Sequence, residues 1–539
     1  MCKKLLVVIL ASMLGSAQAE TLRFASQGDF LTFDVHSQNE SLNSAATGYL
    51  YDSLFAYDKN WKVIPWLAES WKRNDDNTGW ILNIRKGVKF HEGQTLTAKD
   101  VAFSLNRALE PSSQFKNNML GIKSAKALDD YTVLVETVSA SPVFFRQLID
   151  VRIINYEWAK AHGALHPQNA SAKEESFMAR HANGTGPFRL ESREVDVKTV
   201  FVENPNWWNK ANKTGNVTRI EYTPISSNAT RTAALLSGQV DLVIDPPTQD
   251  IARLERNSDI TVRTGSENRV VLITLDQFTD KPLFVTVPGK DKVNPFKDKR
   301  VRQALYEAID INAIQRAVMR GKSVPTGTII AQSVNGWTPE LAKRFPYDPE
   351  HAKKLLAEAG YPNGFSFTID TPNNRWINDE AITKAIASMW AKIGLTVSVN
   401  AMPRSQFFPK ILSLNSSAYL VAWGINTFDG LYGLQSLSQT FDAKTGTGLA
   451  NLGRVSDARI DELIAKAEIE ADEAKRTAYI TEALKLEKEN YYHIPLHEQS
   501  LTWAMRKNID AQVTPNNRVD ALSVVVHPAK QTIKKRISK

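Results

Sequence analysis

Between Trp66 and Leu109 the chain spells out four structural signals in close succession, and this run constrains the fold more than any other. Asp75-Asp76-Asn77-Thr78-Gly79 reads as an exposed turn. An alternating strand follows, with Trp80, Leu82 and Ile84 on one face and Ile81, Asn83 and Arg85 on the other. A Gly-rich hairpin comes next, and Thr97 then caps a helix that starts near Ala98. Nothing in the run is a nucleophile, a metal-ligand cluster or a phosphate loop.

The same alternation of strands and helices extends along the chain. Short apolar strands are predicted at 21–25, 131–137, 270–275, 365–370 and 395–399. The clearest helix is Pro349 to Ala359, where Asp348 is the N-cap, Pro349 suits the first position and Gly360 stops it. Ile460, Leu463, Ile464 and Ala467 recur at helical spacing and predict a second helix over roughly Ala458 to Asn490. The class is α/β. The 539 residues are too many for one core, so two or three domains are expected.

The N-terminus carries Lys3 and Lys4, an apolar run from Leu5 to Leu14, and the small-x-small site Ala17-Gln18-Ala19. These features predict a secretory signal over 1–19, cut before Glu20. Cys2 is the only cysteine and precedes the apolar run, so the mature chain has no disulfide, thiolate metal site or cysteine nucleophile. Removing Lys3 and Lys4 turns 66 − 58 = +8 into 64 − 58 = +6, and five of the remaining positive charges fall in 530–539. That tail reads as a solvated terminus, and the near-balance elsewhere argues against nucleic acid as the main partner.

The run 66–109 closely resembles the signature of the family 5 extracellular solute-binding proteins, which feed dipeptides and oligopeptides to bacterial ABC importers. Ala68, Trp71, Arg85, Gly87, Val88, Lys89, Phe90, His91, Gly93, Thr97, Ala98, Asp100, Val101 and Ser104 carry the resemblance. Further segments follow in the expected order, among them 184–190, 204–210, 231–243, 299–314, 347–365, 420–424 and 493–497. The resemblance implies a two-lobed periplasmic binding protein, a Venus-flytrap with an extra subdomain in its first lobe. Lobe one would comprise 20–275 plus 506–539 and lobe two 276–505, with a hinge near Leu275 and near Trp503 to Arg506. It also implies a monomer in the periplasm that takes a peptide or other small-molecule ligand and docks on an ABC permease, with no cofactor and no metal.

In peptide-binding relatives, a strand ending in Gly-Trp leads to an aspartate that holds the peptide's α-ammonium. Here Trp423 is followed by Asn426 where that acid is expected. An amide lacks the charge that a desolvated ammonium needs. Either Asp429 replaces the acid or the ligand has no free α-ammonium. The resemblance also suggests Arg375 for a ligand carboxylate, by its bidentate fork. Trp423 and Trp503 would be aromatic walls, and Phe30 and Asp34 would lie in the loop where relatives first meet the ligand.

Enzyme motifs fail. His497-Glu498 lacks the second histidine of a zinc protease, since Leu501 stands there. Gly184-Thr185-Gly186 is not a dinucleotide fingerprint, and neither a G-x-S-x-G elbow nor a P-loop occurs. The expectation is a solute-binding importer component for a peptide-like ligand. The alternatives are a non-peptide ligand (an opine or amino-acid conjugate, glutathione, an oligosaccharide, a chelated metal) and, from another class, a periplasmic hydrolase or chaperone.

Overall fold

A computed structural model describes residues 20–528 except 77, 139–142, 173 and 471. The signal segment 1–19 with its cleavage site and the basic tail 530–539 lie outside the described residues.

Two long antiparallel strands, Ile260–Leu275 and Ile494–Arg506, form the centre of a twelve-stranded sheet among the described residues. On one side the order continues through Leu242–Ile244, Glu20–Ser26, Val217–Pro224, Lys198–Glu203 and Phe188–Glu194. On the other it continues through Ala418–Gly424, Ser366–Pro372 and Val285–Thr286. Val270 to Leu275 is apolar at almost every position because strands flank it on both edges and both of its faces are buried. Glu20–Ser26 pairs in parallel with Val217–Pro224 and with Leu242–Ile244, and Ser366–Pro372 pairs in parallel with Thr396–Met402. Helices Asn228–Ser237 and Asp379–Ala391 make two of the crossovers, as an α/β chain requires.

The central strands pass from one hydrophobic core to another. Ile260 packs with Ala25, Leu235 and Ala504, whereas Val270 to Ile273 pack with Leu305, Ile369, Trp390 and Leu420. On the return, Ile494 and Leu496 belong to this second core, and Trp503 and Met505 join Leu22, Phe24, Ile220 and Tyr222 in a first. The change of core therefore falls between Ser266 and Val270, where the pairing register shifts, and between His497 and Thr502. Residues after Arg506 return to the first core through Ile509, Val519 and Val524.

A separate four-stranded sheet, in the order Ala68–Arg73, Gly79–Ile84, Thr132–Thr137 and Ile122–Ala127, carries helix Ala98–Ala108 and has its own core. Leu82 and Ile84 are buried there, as their alternation predicts, while Trp80 is half-buried and stacks on Phe144. The Thr97 cap is present, and the Asp100 carboxylate accepts from the Thr97 amide. The single helix expected over 458–490 is two, Ala458–Ile469 and Glu473–Glu489. Asp472 ends the run by capping the second, accepting from the Lys475 amide.

Candidate functional site

The loop after strand Glu20–Ser26 ends at Glu40, which caps helix Ser41–Leu50. Its carboxylate accepts from the amides of Leu42 and Asn43. The same carboxylate reaches across the molecule. Arg375 Nε and Arg404 Nη2 both donate to it, the latter at 2.6 Å. Arg375 lies in the loop between Ser366–Pro372 and Asp379–Ala391, and Arg404 opens helix Arg404–Leu412. Both arginines thus come from the second-core side and Glu40 from the first. Burial by itself would raise the Glu40 pKa, but Arg375 and Arg404 outweigh it and hold the group at about 2.

The Arg375 loop is fixed from below by Asp379, which accepts from the amides of Arg375, Trp376 and Glu380. Burial still pushes the Asp379 carboxyl up to about 7. The two sides approach closely at Gly28, where a Cβ would stand 2.7 Å from the Asn374 carbonyl oxygen. Only glycine leaves room for that contact.

After strand Ala418–Gly424, the chain turns through Asn426 to Asp429 and grips the small subdomain. Tyr57 Oη donates to the Asn426 carbonyl (2.9 Å), and Arg146 donates to the Thr427 carbonyl (3.1 Å). Asn426 Nδ2 donates to Asp150 Oδ2 (3.1 Å). The Phe428 ring lies against Tyr57 and Trp61. Farther along, Asn39 Nδ2 donates to Tyr432 Oη at 2.9 Å.

Beside Asn39 and Glu40, between the two sides, lies a cavity of about 310 Å³. Phe408, Tyr419, Val421, Trp423, Leu437 and Phe441 line one side of it, and Gln38, Asn39, Ser113 and Gln114 line the other. A smaller space of about 60 Å³ also borders Trp423 and lies among Glu40, Arg375, Asn426 and Tyr432. The Trp423 indole stacks on Tyr432, and its Nε1 is buried with no hydrogen-bond partner among the described residues. An unpaired buried donor costs about 1–3 kcal/mol, so the site is set for an acceptor.

Of the residues singled out in the sequence, Trp423, Asn426 and Arg375 come together around this space. The other four are engaged elsewhere. Asp429 caps helix Gly430–Leu437, and its oxygens are taken by Arg476 (2.6 and 2.7 Å), Asn335 and the Leu431 amide. Trp503 is buried in the first core, with its indole donating to Asn517. Phe30 is packed in an aromatic cluster with Phe33, Phe201 and Tyr222. Asp34 forms a fully buried bidentate pair with Arg107. Glu40, Arg404 and the walls Phe408, Tyr419 and Phe441 were not singled out. Glu40 reads locally as an ordinary residue ahead of a helix, and its partners lie more than three hundred positions away.

Comparison with known proteins gives four matches. The profile of the bacterial extracellular solute-binding proteins, family 5 (middle region), matches residues 62–445. The chain is 26% identical over 503 residues to the glutathione-binding protein GsiB of Escherichia coli K12, covering 91% of each. Its fold is similar to that of DppA from Helicobacter pylori in complex with the peptide STSA, with a TM-score of 0.81 at 22% identity over 94% of this chain and 98% of the other. It is similar also to AgaA from A. tumefaciens R10 in complex with agropinic acid, with a TM-score of 0.80 at 22% identity over 94% and 96%.

Proposed function

Because this chain belongs to the bacterial extracellular solute-binding proteins of family 5, we propose that it captures a peptide or peptide-like solute between two lobes and delivers it to an ABC permease. It does so as a periplasmic monomer released by cleavage before Glu20. One lobe comprises the first core with the small subdomain, and the other comprises the second core. The hinge is the pair of crossings at 266–270 and 497–502, a few residues ahead of the expected Leu275 and Trp503 to Arg506, where the central strands pass between the second core and the packing of Ile260 and Trp503. Ligand favours the closed arrangement by its extra contacts there, and the permease senses closure. No chemistry takes place on the solute.

The observation that carries this reading is the 310 Å³ cavity enclosed by residues of both halves. That volume is at the lower end of small-molecule sites, about 300–1,000 Å³. The two parts of the molecule meet at its edge through Glu40 and Asn39, so emptying or filling it bears directly on closure.

A second reading, a solute that is not a free peptide, draws support from one position. Asn426 occupies the place of the acid that would hold an α-ammonium, and its amide is turned toward Asp150. The relatives named above bind glutathione, a peptide and agropinic acid, so the fold accommodates such a change.

Mass spectrometry of what is released on gentle denaturation, from protein purified out of a periplasm, separates the readings. Peptides of mixed sequence and narrow length support peptide uptake. A single non-peptide compound supports the second reading. Intact protein that releases nothing and is not stabilised by any solute in a broad thermal-shift panel would overturn solute capture itself.

A further inference from the structure

We infer that the solute is an anion with an apolar body and no free amine, and that Arg454 is the residue that pairs with its acidic group. The inference rests on the proposal that a solute is captured in the 310 Å³ cavity.

The body follows from the walls. Phe408, Tyr419, Trp423, Leu437, Leu449 and Leu452 surround the space with rings and branched aliphatic groups. The buried Trp423 Nε1 supplies one donor inside this apolar surface, suited to a carbonyl oxygen on the solute.

The charge follows from what is already paired around the cavity. Of the residues that line the cavity only Glu40 and Arg454 are charged, and Glu40 is shared by Arg375 and Arg404. Nearby, Asp429 is bound on both oxygens by Arg476, and Asn426 has no charge. A solute ammonium in the cavity would meet no unclaimed carboxylate in that lining, and burying a charge without a partner is strongly unfavourable.

Arg454 borders the cavity and has no ion pair among the described residues. Its guanidinium lies 3.7 Å from the Phe441 ring centroid, and Nη1 donates to the Asn451 carbonyl. Asp276 is near enough to act on it through space, but Asp276 accepts from the amides of Phe278 and Thr279 and from the Thr279 hydroxyl. Burial lowers the Arg454 pKa, as expected of a cation partly stripped of water. Its backbone sits in the left-handed region at φ 54°, a conformation with a cost for a non-glycine residue that places the side chain at this wall. A carboxylate on the solute gives this guanidinium the bidentate partner that the protein does not supply.

The test uses mature protein stripped of bound solute and three probes that share a leucyl-phenylalanine body and differ at their termini. They are N-acetyl-leucyl-phenylalanine, its C-terminal amide, and unblocked leucyl-phenylalanine, each titrated by calorimetry. The expected result is that the acetylated acid binds at least about tenfold more tightly than the other two. Arg454→Gln removes the preference of the acetylated acid over its amide, whereas Arg454→Lys retains most of it. Matching melting curves for the variants exclude a folding defect. Tightest binding by the unblocked dipeptide, equal binding of all three probes by the wild type, or an unchanged preference in Arg454→Gln would overturn the inference. So would the absence of binding to all three. Solute capture is judged separately, by the compound that mass spectrometry finds on the wild-type protein.

Discussion

Asp34 and Glu40 occupy one stretch of loop, are both buried, and are both paired with arginine, yet they sit at different kinds of junction. The Asp34 partners, Arg107 and the Gln168 amide, belong to the same half of the molecule. Its pair is closed off among His36, Met178 and the Ala164 carbonyl, and both side chains have no exposed surface. The Glu40 partners come from the other half, and the space beside them is part of the site. One pair fixes how the first lobe folds. On the proposed closure, the other forms only when the lobes meet. Identical chemistry serves stability in one place and closure in the other, and the difference lies in which elements bring the partners together.

The comparison is most directly broken at the inner pair. Arg107→Ala leaves Asp34 as an uncompensated buried carboxylate and is expected to lower unfolding free energy by about 3–5 kcal/mol. Urea unfolding measures it. Solute affinity of the fraction that stays folded should be unchanged, because no member of that pair borders the cavity. A variant with normal stability and weakened binding would reverse the two roles.

Glu40→Gln probes the outer pair and should give the opposite pattern. The amide oxygen keeps part of the helix cap, so the unliganded protein loses no more than about 1 kcal/mol. The closed form loses the charge that balances Arg375 and Arg404, and solute affinity should fall about 10- to 100-fold, at 1.4 kcal/mol for each factor of ten. Calorimetry gives the affinity, and small-angle scattering at saturating solute shows whether the variant still closes. Unchanged affinity would mean that closure does not depend on this bridge.

Features fixed by local sequence are far more legible than those made where the two lobes meet. Asp348 with Pro349 and Gly360 marks a helix because the cap, the first turn and the stop are all local, and the helix is there as Pro349–Glu358. The 270–275 strand is legible because burial on both faces leaves an apolar run broken only by Thr274. The break at Asp472 was missed because the apolar spacing gives no sign of where one helix stops, and a cap inside a polar run looks like any surface acid. Trp423 and Asn426 are suggested by a strand-end motif, so the resemblance carries them. Glu40 has no such signal. Its role depends on Arg375 and Arg404, whose positions are set by the meeting of two lobes, and no window of sequence contains both sides. Asp34, Phe30 and Trp503 are suggested by position along the chain alone. Nearness to a loop or strand that meets ligand in relatives does not say which way a side chain turns, and here all three turn inward.

Acid titration gives the smallest effect and the sharpest distinction. Glu40 stands at about 2 in the closed form against an ordinary 4.5, so its contribution to closure is complete above pH 4.5 and is lost as pH falls toward 2. With an ordinary value in the open form, those two figures predict a loss of about fourfold in solute affinity between pH 7 and pH 4. Glu40→Gln should lose this component of the pH dependence while binding more weakly throughout. The Asp34 carboxyl is also held below its ordinary value, since Arg107 outweighs its burial, but it titrates within one lobe. Acid should therefore weaken folding through Asp34 and binding through Glu40, the first seen in urea unfolding at each pH and the second by calorimetry. An acid loss of affinity that persists in full in Glu40→Gln would assign closure to another carboxylate, with Asp150 beside Asn426 the first to examine.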